Sequence, residues 1–421
     1  MKFGKQFFAL TPLCALLAST PALATNGYFA HGYGMKAKGM GGVATAMSQD
    51  AFGGANNPAS MVWAGTRLDL GMDWFSPVRD AERSGSGPGL NGKVDSGKEN
   101  FFVPEIGYNH MLNDTLSLGV TVYGNGGMNT TYPQGNFDCG GGPANMLCGS
   151  GELGVDLMQL IVAPTAAYKL NVQHSVGVSL LLGYQRFKAQ GLHAFANTPN
   201  FSSDPANVTN NGYESSTGAG LRFGYMGKLS DTLSIGAAYS SQVNMSRFKK
   251  YAGLFAEAGD FDIPANYSIG IEFKPMPELT LAADYGRIEY SGVAAVGNPS
   301  TPPVGQLGAA NGPGFGWKDI NVYKFGAAWR MNDALTLRAG YNWGDNPITS
   351  RDVTFNILAP GVMKEHYTLG FTYFGFPDSE ITGSLMVAPR QSVTGASSQF
   401  GGSETIGMRQ TMLGVAWSRK F

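Results

Sequence analysis

Asp114-Thr-Leu-Ser-Leu-Gly-Val-Thr-Val-Tyr123 reads as a β-strand launched from a turn. The phrase returns three times: Asp231-Thr-Leu-Ser-Ile-Gly-Ala-Ala-Tyr239, Glu278-Leu-Thr-Leu-Ala-Ala-Asp-Tyr285 and Asp333-Ala-Leu-Thr-Leu-Arg-Ala-Gly-Tyr341. Each copy follows a turn of a few residues, and a long loop usually comes after it. Tight turns at one rim and long loops at the other are the asymmetry of a transmembrane β-barrel.

Working outward, side chains alternate with period two. Leu68, Leu70, Met72 and Trp74 share one face, opposite Arg67, Asp69, Gly71 and Asp73. Leu335, Leu337, Ala339, Tyr341 and Trp343 oppose Thr336, Arg338, Gly340 and Asn342, and Tyr367, Leu369, Phe371 and Tyr373 form another apolar row. A soluble sandwich also alternates, with its apolar face turned inward. Here the polar face carries Arg, Asp and Asn among many glycines, which suits a polar or plugged lumen with lipid outside.

Strands are expected near 67–75, 101–110, 115–124, 156–169, 173–188, 214–228 and 232–244. Seven more follow near 265–274, 278–290, 318–330, 334–345, 362–374, 379–388 and 405–421. The sequence thus predicts an all-β fold: a 14-stranded antiparallel outer-membrane β-barrel, even-numbered as bacterial barrels are. Short connections rich in Asn, Asp and Pro alternate with long ones at 76–100, 125–155, 189–213, 245–264, 291–317, 346–361 and 389–404. If the short turns are periplasmic, both barrel ends are too. Leu413, Val415, Trp417 and the terminal Phe421 share a face. That pattern resembles the signal read by the barrel-assembly machinery, with Arg419 where an aromatic is more usual.

Composition agrees. Only 14% of the 421 residues are charged, against roughly 25% in soluble domains. Glycine supplies 60, about twice the ~7% average. A net charge of −1 argues against nucleic acid as a partner. Residues 1–24 read as a signal peptide: Lys2 and Lys5, an apolar run from Phe7 to Ala18, then Ala22-Leu23-Ala24 for cleavage. No later segment has the ~20 apolar residues of a spanning helix; Leu157 to Tyr168 is interrupted by Gln159 and Pro164. Cys139 and Cys148 are expected to close a small disulfide loop in an oxidising compartment. No histidine lies near them, so no metal site is expected there.

Residues 25–66 do not alternate, and 67–421 form the barrel. A plug, or hatch, inside the lumen is the economical place for the first segment, with Gly32, Gly34, Gly39, Gly41 and Gly42 allowing close packing. Gly34 to Gly39 has phosphate-loop spacing, but Met40 stands where lysine is required. His31 reads as a packed plug histidine.

Asn57-Pro58-Ala59 in such a plug, ahead of a fourteen-strand barrel, resembles the FadL-type transporters of long-chain fatty acids and aromatic hydrocarbons. Thr25-Asn-Gly-Tyr-Phe, His31-Gly-Tyr-Gly and Lys38-Gly-Met-Gly-Gly resemble one branch of that family. Asp156-Leu-Met-Gln-Leu-Ile-Val-Ala-Pro164-Thr-Ala-Ala-Tyr-Lys, and Ile263-Pro-Ala-Asn-Tyr-Ser-Ile-Gly-Ile-Glu-Phe-Lys-Pro275 with Asp284-Tyr285, carry the likeness through the chain. The resemblance implies an outer-membrane protein, without a cofactor, that takes up hydrophobic compounds. Capture would occur in extracellular loops and binding against the plug. Release would pass sideways through a wall gap at a kinked strand, here the third, ending in Gly124-Asn-Gly-Gly127.

Two loops suit capture. Phe248, Tyr251, Leu254 and Phe255 fall at helical spacing, with Arg247, Lys249 and Lys250 on or near the other face. An apolar stripe beside cations fits an acyl tail and its carboxylate. It also fits a loop helix packed on its neighbours, its cations facing lipopolysaccharide phosphates. Met146 and Leu147, beside Cys148, line the same groove or simply pack their own loop. Each buried CH₂ contributes about 0.8 kcal/mol, so a long chain needs no polar anchor and the ligand class stays open. A general porin is the alternative, but needs no plug. An outer-membrane lipid hydrolase needs a serine motif beside one of five histidines, and none has known spacing. The chain is therefore expected to be a monomeric, non-enzymatic transporter.

Overall fold

The computed structural model describes residues 26–196, 200–301 and 304–421. The expected signal peptide and its cleavage point lie outside the described residues. The wall strands are β1 (Arg67–Ser84), β2 (Phe101–Met111), β3 (Leu116–Asn129), β4 (Gly154–Lys169), β5 (His174–Gln190), β6 (Glu214–Lys228) and β7 (Leu233–Ser240). They continue as β8 (Asn266–Met276), β9 (Leu279–Ile288), β10 (Ile320–Asn332), β11 (Leu335–Gly344), β12 (Glu365–Phe376), β13 (Ser379–Ala396) and β14 (Ser403–Lys420). Each pairs antiparallel with the next, and β1 pairs β14 from Arg67↔Lys420 to Ser84↔Ser403, which closes the barrel. Short segments at Gly92–Asp95 and Asn244–Met245 add to β1 and β6.

All fourteen expected strands are present. Phe421 donates its N–H to Thr66 O, and Lys420 to Asp378 O in a short turn. Both barrel ends therefore sit at the short-turn rim. β1 and β13 outrun expectation: they rise well past Phe75 and Ala388, where alternation was expected to end. Pro77 and Pro389 blurred the pattern. In the structure Pro77 stays within the β1–β14 ladder and Pro389 falls at a register shift between Ala388 and Gln391, a bulge that tolerates proline.

The barrel is inside out relative to a soluble fold. Leu369, Phe371, Leu413 and Val415 are exposed, while Asp73, Thr121, Asn342 and Thr372 are buried. Apolar side chains on the accessible face and polar ones within are what lipid outside demands.

Residues 26–64 fill the lumen as a plug, with short helices at Met35–Lys38 and Met61–Ala64 and a 3₁₀ turn at Pro58–Ser60. The wall meets this plug with glycine. A Cβ on Gly340 would lie 2.1 Å from Gly41 N, and one on Gly236 2.0 Å from Thr45 O. Backbone thus packs on backbone, which any larger residue would prevent. No helix is long and apolar enough to cross a membrane, which says nothing of strands.

Candidate functional site

Asn57 explains the motif that begins with it. Its Oδ1 accepts from Ala59 N and caps the 3₁₀ turn that Pro58 starts, while its Nδ2 donates to Thr45 O at 2.7 Å and Tyr225 O at 2.8 Å. One side chain ties the turn, the rest of the plug and the wall together. Beneath it, Gly177 and Gly224 leave room: a Cβ there would meet Pro58 C at 2.4 Å and Asn57 Oδ1 at 2.0 Å.

Ion pairs hold the other side of the plug. Lys38 reaches Asp73 on β1 at 2.5 Å and Glu105 on β2 at 2.6 Å; Lys36 reaches Glu380 at 2.5 Å. Burial works against the Lys38 charge, but Asp73 and Glu105 hold its pKa above the ordinary lysine value. Burial, with Arg67 nearby, pulls Lys36 down to about 8 despite Glu380. His31 stacks on His366 with ring centroids 6.0 Å apart. Burial keeps His31 well below the usual imidazole range, and His366, Lys38 and Lys324 add to that. This latch was not foreseen. The sequence offers only part of it: Lys36 and Lys38 in a segment expected inside the lumen and Asp73 on the polar face of the first strand, with nothing that pairs them.

The wall is interrupted at the seam between β2 and β3. The β2–β3 ladder runs from Met111↔Ser117 to Ile106↔Val122 and goes no further. Phe101 to Glu105 pair only with β1. Across from them β3 shifts register against β4 between Gly124 and Gly126. The start of the plug takes up the freed edge: Ala30 N donates to Asn125 O, and Gly127 N to Tyr28 O, each at 3.2 Å. Tyr33 Oη donates to Asn125 O as well, at 3.1 Å. Gly126 is needed there, because its Cβ would lie 1.9 Å from Tyr28 O. Residues 28–38 therefore touch both edges of the seam, β3 through backbone and β2 through Lys38 and through Gly34 N, which donates to Glu105 Oε2.

Above the plug, the long loops fold together. Phe248, Tyr251, Leu254 and Phe255 are buried, as are Met146 and Leu147, while Arg247, Lys249 and Lys250 are exposed. The continuous helix implied by their spacing is absent. The segment makes a 3₁₀ turn at Lys249–Tyr251 and a separate turn at Ala256–Gly259, with Glu257 and Ala258 at φ 56° and 58°. Gly253 N donates to Asn207 O on a neighbouring loop, which draws the chain out of a helix. Three of the four apolar side chains still converge, on Phe187: Phe248 at 5.6 Å, Tyr251 at 4.8 Å and Phe255 at 4.7 Å between centroids. Leu254 and Leu147 line one small apolar cavity with Phe355 and Leu358. A disulfide joins Cys139 and Cys148 in the same loop layer.

From Phe255 a chain of aromatic rings leads inward: Phe261 at 4.8 Å, Tyr28 at 6.2 Å beyond it, then Trp317 at 5.7 Å and Tyr290 at 5.1 Å from Tyr28. Tyr28 is the plug residue whose carbonyl holds Gly127. A cavity of about 90 Å³ lies on the far side of the plug, where Phe29 and Tyr33 face Arg222, Arg287 and Lys324.

For nucleophilic chemistry, Ser150 Oγ lies 3.3 Å from His193 Nδ1, and Asn210 Nδ2 lies 3.5 Å from Nε2. Both contacts are exposed and lie at the long end of hydrogen-bond range. Among the described residues no cluster of three His, Cys, Asp or Glu side chains is placed to hold a metal ion.

A closed fourteen-strand barrel, apolar outside and plugged inside, with a glycine-marked break in its wall, is an outer-membrane transport protein. The family model described as "Outer membrane protein transport protein (OMPP1/FadL/TodX)" matches residues 13–388, and the chain belongs to that family. It is accordingly a protein of the Gram-negative outer membrane that transports hydrophobic compounds. Among solved structures it is similar to the Pseudomonas putida toluene transporter TodX: TM-score 0.70, 20% identity, covering 93% of this chain and 99% of that one. It is also similar to the Ralstonia pickettii toluene transporter TbuX, with TM-score 0.64, 18% identity and coverage of 93% and 99%. A Pseudomonas aeruginosa FadL homologue aligns with TM-score 0.69, 15% identity and coverage of 94% and 100%. Among curated proteins none matches.

Proposed function

We propose that the protein takes up fatty acids or related hydrocarbons by capture among the extracellular loops, binding against the plug, and lateral release into the membrane at the β2–β3 seam. Residues 25–66 act as the hatch and 67–421 as the barrel. Phe248, Tyr251, Leu254, Phe255, Met146 and Leu147 form the capture layer, with Arg247, Lys249 and Lys250 at its rim beside lipopolysaccharide. The barrel-assembly machinery inserts the protein, which works as a monomer.

The observation that carries this reading is the seam. A closed barrel leaves no backbone edge unpaired in lipid, yet β2 and β3 part company above Ile106↔Val122 and the plug covers the edge instead. An edge covered by a removable segment is a gate. The aromatic chain from Phe255 to Tyr28 supplies an apolar route to it.

Phe102 is 55% exposed on β2 beyond the end of its ladder with β3, and Phe371 is 43% exposed on β12, four strands away around the wall. A bulky maleimide on Phe102→Cys should slow fatty acid uptake into proteoliposomes; the same group on Phe371→Cys should not. Equal rates in both sink the lateral route. Sugar permeation without fatty acid binding establishes the porin alternative.

A further inference from the structure

A second cavity lies above the plug, between β1, β3, β14 and two long loops, walled by Phe75, Met128, Trp317 and Met408. One residue in this apolar setting is out of place. Arg79, 2% exposed, lines the cavity. Its Nη2 donates to Ser96 Oγ and Lys98 O, but its Nε is buried without a partner. Among the described residues no carboxylate stands within ion-pair distance of it. Glu99 and Asp156 act on it only from further off, and Asp156 is committed to Lys98 at 3.0 Å and to Tyr213 at 2.7 Å. Four residues along β1, Arg83 is buried too, and it has Glu404 at 2.6 Å. Asn129, lining the same cavity, keeps a buried Oδ1 without a partner.

A buried cation without a counter-ion is costly, and so is an orphaned donor. Both sit in one cavity, beside the ring of Tyr28, where the aromatic chain ends. We propose that Arg79 anchors the carboxylate of an amphipathic ligand. This deepens the transport reading above and rests on it. The site therefore selects acids with an apolar tail over bare hydrocarbons. The guanidinium has its Nε–H free to donate to one carboxylate oxygen while Nη2 stays on Ser96 and Lys98. Asn129, its amide turned, donates to the other oxygen. The cavity has about 20 Å³, room for little more than one water-sized group. It takes the head group alone, and the tail enters where Tyr28 now stands. Ligand binding and withdrawal of Tyr28 from Gly127 are then one event.

Oleate and oleyl alcohol share a tail and differ in charge. Titrated into the full-length mature protein in detergent, oleate should bind about tenfold or more tightly than the alcohol, the worth of one charged hydrogen-bonded contact. Arg79→Met should bring oleate to the level of the alcohol while the alcohol stays unchanged, and Arg79→Lys should keep part of the preference. Heat-modifiable migration on gels verifies that each variant is a folded barrel. Loss of both ligands alike in folded Arg79→Met, or equal binding of the two by the unsubstituted protein, overturns the anchor and leaves transport standing. Binding of neither ligand by the unsubstituted protein overturns both readings.

Discussion

Asn57 and Lys38 secure the plug by different physics, and substitution separates them. Asn57→Ala removes a cap and the amide that donates to Thr45 O and Tyr225 O, of which only Tyr225 O keeps a strand ladder around it. The expected cost is about 2–4 kcal/mol, borne by the plug rather than the barrel. Lys38→Met leaves Asp73 and Glu105 buried without their cation, a loss of about 3–5 kcal/mol. Both variants should run as folded barrels yet show frequent transient openings in single-channel recordings. Lys38→Met should also admit a thiol reagent to Ala30→Cys faster, because Lys38 holds β2 while residue 30 holds β3. Unchanged labelling means the latch and the seam are not coupled. Asn57-Pro58-Ala59 stood out in the sequence only through its resemblance to a family motif; the cap it forms and its bond to Tyr225, 168 residues on, came from the structure. The latch was not legible, since its partners lie 35, 67 and 344 residues away in sequence.

Between elements, fit depends on what is missing from side chains. Gly236→Val puts atoms where Thr45 O now lies, on an inner face with no space to yield. It should displace the plug and raise conductance without preventing barrel assembly; Gly286→Ala, whose Cβ meets nothing nearer than 3.5 Å, should do neither. The loop layer carries a pH dependence. Burial, with Asp262 and Glu257 nearby, pushes Asp260 up to about 6 against a partial offset from Arg247. A raised carboxyl pKa means the charged form opposes packing: the penalty is full above about 6 and fades as pH falls toward the unfolded value. Amide exchange across 245–262, corrected for intrinsic rate, should therefore be slower at pH 5 than at pH 7.5, and Asp260→Asn should abolish the difference. The strands were readable because period two runs through long stretches of them, as in Arg67–Phe75 and Leu335–Gly344. Phe248 to Phe255 were misread as one helix because their spacing is real but their backbone answers to neighbouring loops. Gly253 serves Asn207, not a helical carbonyl.

At the scale of the molecule, the wall and its contents are separable. The ladder from β14 through β1 and on around to β13 contains no plug residue, so barrel closure does not require the plug. The plug is instead placed by the finished wall, through glycine contacts, Asn57 and the two lysines. The seam is the exception, because there the plug completes what the ladder leaves undone. Removal of residues 26–60 should thus leave a heat-modifiable barrel that still assembles, with two changes. Conductance should rise from near closure to large, steady steps, since the plug is what packs on the inner wall at Gly236 and Gly340. The β3 edge from Asn125 to Gly127 should lose its slow amide exchange, while β9 to β12 keep theirs. Fatty acid delivery to the membrane should lose its selectivity, because Tyr28, which closes both the head-group cavity and the seam, is gone. A truncated protein that conducts and delivers ligand like the intact one would show that the plug is ballast, and the gate would have to lie in the loops.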